Sequence, residues 1–156
     1  MSEAGRYEFR DATMEDAEFL STRLREIDIR EILAVSGRSP DAVLKYALRF
    51  SDICRAGIAD GETVCMYGVQ AKGITAIGMI WMLGTDALDA HAMKVGRETY
   101  KQTREMIADF DLLENWVHIE NKKTIRWLMW LGFKFEKPKP YGRKGELFSH
   151  FYMENK

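Results

Sequence analysis

The side chains able to move a proton are few and scattered. His118 and Glu120 close a short apolar segment, Tyr100 falls in a stretch of helical periodicity, and His91 sits among polar residues. An imidazole, a carboxylate and a phenol are groups that serve as general acid or base near neutral pH, so His118, Glu120 and Tyr100 are the candidate catalytic residues. Each has a plainer reading beside it: His118 as a hydrogen-bonded core or edge histidine, Glu120 as a solvated strand end, His91 as a surface residue. The two thiols, Cys54 and Cys65, lie in neighbouring segments joined by Asp60-Gly61. Pairing those segments sets Cys65 opposite Ala56 and leaves Cys54 one diagonal step away, about 7–8 Å, too far for an unstrained disulfide. Both are expected to be free, as small half-buried apolar groups, since no histidine stands near them in sequence. No metal site is read.

The elements that must hold these groups follow from the spacing of apolar residues. Residues 7–10 alternate as a strand. Thr13 is placed to cap a helix over residues 14–28, continuing towards Leu33, with Ala17, Leu20, Leu24 and Ile27 in one stripe. Ser39-Pro40-Asp41 starts a second helix carrying Val43, Leu44, Ala47 and Leu48. Residues 54–59 and 63–69 read as a hairpin turning at Asp60-Gly61, and residues 74–83 as a third strand, apolar on both faces and so expected between two helical layers. Residues 84–93 read as a loop, 95–110 as a helix, 116–119 as a strand, 124–131 as a helix stopped by Gly132, and 133–136 and 147–153 as closing strands. The loop between those last strands holds Pro138, Pro140, Gly142 and Gly145.

With 156 residues and no shift in composition, the chain is expected to be a single α/β domain over residues 1–156. Hydrophobic residues at 46% and charged residues at 30% exclude a disordered tail. A net charge of −1, from 23 basic and 24 acidic residues, gives no positive field to collect nucleic acid or anionic lipid. The basic cluster Lys134, Lys137, Lys139, Arg143, Lys144 reads as a solvated loop. The longest apolar run, residues 76–83, is far below the about 20 residues that span a bilayer. Residues 1–11 alternate in charge where a signal peptide is apolar, so a soluble intracellular protein is expected.

Residues 117–133 read VHIENKKTIRWLMWLGF. This strand, asparagine, helix and Leu-Gly-Phe ending resembles the GNAT acyltransferases, as does the element order along nearly the whole chain. The resemblance implies a mixed, mostly antiparallel sheet with helices on both faces. Trp81 to Leu88, reading WMLGTDAL, with residues 125–133 and Pro140-Tyr141-Gly142, resembles a GNAT-like bacteriophage family that contains the internal virion protein A of short-tailed coliphages. That resemblance implies a protein of the infected host's cytoplasm, or of the virion, that binds a phage or host protein during assembly.

Against the GNAT pattern, residues 84–97 read GTDALDAHAMKVGR and lack the basic-x-x-Gly-x-Gly turn that cradles the diphosphate of acyl-CoA. Asp86 and Asp89 are expected near those phosphates, each like charge costing on the order of 1 kcal/mol at a wet surface. Leu128 stands where the family often has a proton-donating tyrosine. These departures predict a protein that acts by binding, with no cofactor expected and acyl transfer lapsed. The alternative is an acyl-CoA-dependent N-acetyltransferase, in which the resemblance assigns the backbone of Ile80, Trp81, Met82 and Leu83 to the pantetheine arm. It assigns Lys94, Val95, Gly96 and Arg97 to the phosphates, Asn121 to orientation, and His118, Glu120 or Tyr100 to proton transfer. Trp127, Met129 and Trp130 cannot share one face of a helix that turns about 100° per residue. Some of that surface is therefore expected to be exposed, against a partner or a second copy, or covered at Trp130 by the 138–145 loop.

Overall fold

The computed structural model describes residues 6–156; residues 1–5, part of the charged amino-terminal stretch considered above, lie outside it. Strands β1 (Tyr7–Asp11), β2 (Ile53–Ala59), β3 (Glu62–Ala71) and β4 (Ile77–Gly84) pair antiparallel in sequence order. Beyond them stand β5 (Leu112–His118), β6 (Lys134–Phe135), β7 (Lys139–Tyr141) and β8 (Glu146–Glu154). The sheet runs β1-β2-β3-β4-β5-β8-β6, with β7 also on β8. Its one parallel contact is β4 with β5.

The helices divide between the two faces. On one side α1 (Met14–Ser21), α2 (Glu26–Val35) and α3 (Pro40–Phe50) bury Leu20, Ile32 and Leu44 with Met66 of β3. On the other, α4 (Ala92–Met106) and α5 (Lys122–Leu131) bury Val95, Met106, Leu128 and Leu131 with Tyr67, Val69, Leu113 and Val117. Each such side chain gains roughly 1.5–3 kcal/mol by leaving water, which fixes the strands' inward faces. Gly68 lets β2 and β3 approach: a Cβ there would lie 1.9 Å from the Ile53 carbonyl oxygen. Gly132 takes φ 108° and ends α5 in the left-handed cap its position predicts. No helix among the described residues is long and apolar enough to cross a membrane.

Several expectations are corrected. The helix over residues 14–28 is two helices. The Arg25 amide donates to the Gly84 carbonyl at 2.9 Å and Leu24 bridges Thr85, so the end of β4 takes the backbone groups that helix continuation needs. The 84–93 loop holds a 3₁₀ turn (Asp86–His91), and α4 begins already at Ala92. The 95–110 helix stops at Met106, with a 3₁₀ turn (Ile107–Asp109) after it. Cys65 lies opposite Gly57, not Ala56, because a bulge shifts the hairpin register between Gly57 and Ile58. Both cysteines are free. The proline-containing loop carries β7.

Candidate active site

Strands β4 and β5 pair only from Ile77–Leu112 to Met79–Glu114, after which β5 stays with β8 and the two strands part. The wedge between them opens a cavity of about 620 Å³ that reaches both faces of the sheet. Asn115 bridges its narrow end, donating from Nδ2 to the Ile80 carbonyl at 2.6 Å while its Oδ1 accepts from the Trp116 amide at 2.8 Å. That contact sets the phase of β4. Ile80 and Met82 aim their backbone groups at the wedge, and residues 77, 79, 81 and 83 aim theirs at β3, as the Lys72 amide to the Ile77 carbonyl confirms. The Met82 amide and carbonyl therefore have no partner strand.

On the α4 and α5 side the wall is mostly apolar, with Gln102, Lys123 and Arg126 as its long polar members. Val95, Gly96, Thr99, Thr103 and Met106 line it from α4, facing Trp127, Leu128 and Leu131 of α5. Thr99 and Thr103 donate their hydroxyls back to the Val95 and Thr99 carbonyls, at 2.8 and 2.7 Å, so their polar atoms are spent within the helix. Gly96 keeps this side wide, the nearest atoms to a Cβ there being ring atoms of Trp130 and Trp127 at 3.8 and 3.9 Å. No acidic residue stands in the first turn of α4, and Asp89 at the rim is held by Lys123 at 2.7 Å. Tyr67 lines the floor; its hydroxyl is buried without a well-formed hydrogen bond, as is the Nε of its cross-strand neighbour Arg55.

On the opposite face α2 and α3 contribute Asp28, Glu31, Ile32, Val35, Val43, Tyr46 and Ala47, and the strands contribute Trp81 and Trp116. Asp28 is fully committed. It accepts from Arg25 Nε and Nη2 at 3.0 and 2.8 Å and from the Gly84 amide at 3.0 Å. Glu31 differs. Its Oε2 accepts from the His118 amide at 2.9 Å and from Asn121 Nδ2 at 3.2 Å, while Oε1 receives no hydrogen bond among the described residues, and Glu31 lines the cleft. Burial pushes its carboxyl above the ordinary range; the two donors oppose this, and the neighbouring Asp28 charge adds to the rise. A cleft-facing carboxylate with a raised pKa is suited to take a proton near neutral pH.

The sequence candidates separate. Ile80, Trp81, Met82, Leu83, Val95, Gly96 and Asn121 all line the cleft. Lys94 and Arg97 sit on the exposed side of α4, Lys94 with its ammonium 5.6 Å from the Tyr7 ring centroid. Asn121 does not cap α5 with its side chain and instead holds Glu31.

The three proton-transfer candidates do not meet at the cleft. His118 is buried; its Nδ1 accepts from the Glu120 amide at 3.1 Å, which leaves Nε2 to donate to Glu146 at 2.7 Å. Glu120 pairs with Arg30 at 2.7 Å, and Tyr100 packs on Trp130 beneath Arg104. The imidazole is a satisfied core group, and only the backbone amide of His118 serves the site. Leu128 is part of the apolar wall. Glu31 is the residue that the sequence reading missed. A local signal existed within α2: Glu31 stands at helical spacing between Asp28 and Val35, beside the buried Ile32.

Several structures similar to this one along nearly their whole length are described as acetyltransferases. A chimeric spermidine N-acetyltransferase of Vibrio cholerae has a TM-score of 0.70 at 10% identity, covering 95% of each chain. An N-acetyltransferase of Staphylococcus aureus has 0.69 at 11%, covering 96% of this chain and 98% of its own. The chain has the GNAT fold. A Salmonella typhimurium protein described as an acetyltransferase, with its cofactor acetyl-CoA, has 0.65 at 16%, covering 95% and 93%. No family model matches the sequence, and no curated protein does.

This GNAT fold implies acyl-CoA, and the wedge fits its arm. The wedge is open, the Met82 backbone borders it without a partner strand, and the exposed Lys123 ammonium of α5 pairs with Asp89 at its rim.

Proposed function

We propose that the chain is an acyl-CoA-dependent N-acyltransferase. The observation that carries this reading is the open wedge, with free β4 backbone groups on one face and the free Oε1 of Glu31 on the other. Acyl-CoA supplies an activated acyl thioester. Met82, Val95, Gly96, Trp127 and Leu128 would hold its arm, and the amino end of α4 with Lys123 would face its phosphates. The Met82 amide is free to donate to a carbonyl oxygen that gains negative charge. Glu31 takes the proton of an ammonium arriving from the α2–α3 side, leaving a neutral amine able to attack. The His118 amide and Asn121 hold that carboxylate in place, and the apolar walls exclude water. Calorimetric titration with acetyl-CoA tests the reading: submicromolar to micromolar binding is expected, and no heat at millimolar ligand refutes it.

A second reading, a binding protein of phage assembly, draws support from the surface. Met129 and Trp130 are more than half exposed, and Trp130 packs on Tyr100 of α4, not under the 138–145 loop. Under that reading Trp127, Met129 and Trp130 meet a second copy or a phage or host protein. Sedimentation of wild type beside Met129→Glu separates self-association from a monomer, and pull-down from infected cells tests the partner.

A further inference from the structure

The α2–α3 half of the cleft can be read for the acceptor it takes, and that inference rests on the transferase reading above. Three charged groups line it: Arg25, Asp28 and Glu31. Arg25 and Asp28 cancel in a two-bond pair, and Asp28 spends its remaining capacity on the Gly84 amide. Arg30, one position before Glu31, is drawn outward to Glu120 and Glu146. Lys123 and Arg126 belong to α5, on the opposite face. One negative charge is left over, on Glu31, with one oxygen free.

The remaining wall is apolar and aromatic. Ile32, Val35, Val43 and Ala47 form the helical side. Trp81 is fixed by its Nε1 donating to Ser51 Oγ at 3.0 Å, and Trp116 is held by stacking on Tyr141 with centroids 4.1 Å apart. Tyr46 stands at the solvent end, 42% exposed. A charge entering such walls must find a partner there, because an unpaired buried ion is costly.

We propose that the acceptor is a monoamine: one ammonium on an apolar, aromatic or alkyl body, with no second charge. Its ammonium pairs with Glu31 Oε1 and its body lies among Trp81, Trp116, Val35 and Tyr46. An α-amino acid brings a carboxylate on the carbon that bears its ammonium, hence beside Glu31, where the one cation of the lining among the described residues, Arg25, is already paired with Asp28; Lys139 over the Trp116 ring (5.1 Å) and Arg38 over the Tyr46 ring (5.4 Å) stand outside that lining. A polyamine brings a second ammonium, and the one other carboxylate of this lining among the described residues, Asp28, is already paired with Arg25. The transfer balances within the proposed reaction. A C–N bond forms between the amine and the acyl carbon, the C–S bond of the thioester breaks, Glu31 takes one of the two protons that nitrogen loses, and the second goes to sulfur, so that coenzyme A leaves as its thiol.

The test pairs acetyl-CoA calorimetry with thiol release, using phenethylamine, phenylalanine and spermidine as acceptors at pH 8. Phenethylamine is expected to exceed both others in kcat/KM by on the order of 100-fold, the scale of leaving one charge unpaired in a binding site. Acetyl-CoA binding with equal or better transfer to phenylalanine or spermidine overturns the acceptor class and leaves the transferase reading standing. Binding with no transfer to phenethylamine also overturns the acceptor class alone. No binding of acetyl-CoA ends both.

Discussion

Replacing Glu31 by glutamine removes the proposed base while keeping its shape. Both hydrogen bonds it accepts, from the His118 amide at 2.9 Å and Asn121 Nδ2 at 3.2 Å, fall on one oxygen, and a glutamine carbonyl can take that place. What changes is the atom facing the cleft, from a carboxylate oxygen to an amide nitrogen that cannot accept a proton. Losing a general base costs about 10²–10⁴-fold in rate, or roughly 3–5 kcal/mol of barrier. Stability should move the other way. The charged groups facing Glu31 are Asp28, which raises its pKa, and Arg25, which lowers it, and burial dominates both. A carboxyl whose folded pKa is raised contributes stability that is complete below its unfolded pKa and is lost as pH rises through the folded value. As pH rises through that raised value the wild type loses this contribution and a neutral glutamine has none to lose, so the melting temperature of Glu31→Gln should gain on that of the wild type as pH rises from 4 to 9. Wild-type kcat/KM should rise with pH along a limb displaced above the ordinary carboxylate range, and the variant should lack that limb. Acetyl transfer to phenethylamine across pH 4–9, beside thermal melts of both proteins, checks this. A glutamine variant with full activity and the wild-type pH profile refutes the assignment.

Other outcomes follow from the same geometry. Gly96→Leu sends a side chain into the wedge without a close Cβ contact, so acetyl-CoA heat should vanish while the melting temperature holds or rises, leucine being about 0.8–1 kcal/mol the better helix residue. Buried Asp16 must be desolvated, but it accepts from Arg10 at 2.7 and 3.1 Å and from Thr63 Oγ1 at 2.6 Å, and the balance brings its pKa down to about 2. Its contribution, about 2 kcal/mol, is present above its unfolded pKa and lost as pH falls through the folded one. Asp16→Asn should therefore lose about that much in urea titration at pH 7, with the gap closing towards pH 2. Burial pushes the Cys54 and Cys65 thiols up to about 12, so neither should be alkylated by iodoacetamide in the native protein at pH 8; mass spectrometry with and without urea measures it.

Much of the fold was legible because it is written in local periods. Alternation marked the hairpin and β8, and stripes marked α3, α4 and α5. Thr13, Ser39-Pro40 and Gly132 occupy the capping positions the structure confirms. Where the reading failed, a distant group had intervened. The helix of residues 14–28 breaks because Gly84 and Thr85, about sixty residues on, claim the backbone at Leu24 and Arg25. Cys65 moves one place because a bulge between Gly57 and Ile58 leaves Val64 unmatched, which the turn residues do not encode.

The candidate site divides along the same line. The resemblance carried by the sequence named part of the walls, since Ile80 to Leu83, Val95, Gly96 and Asn121 all line the cleft. Only the tertiary structure decided that the wedge stands open. That depends on β5 leaving β4 after Glu114 to keep its bonds with β8, and on Lys123 reaching Asp89 from 34 residues away. It also placed the Glu31 carboxylate in the cleft, held by groups 87 and 90 residues further along the chain. Periodicity records which face a side chain buries, but a carboxylate's partners and a gap between strands are set by which distant segments compete for the same hydrogen bonds.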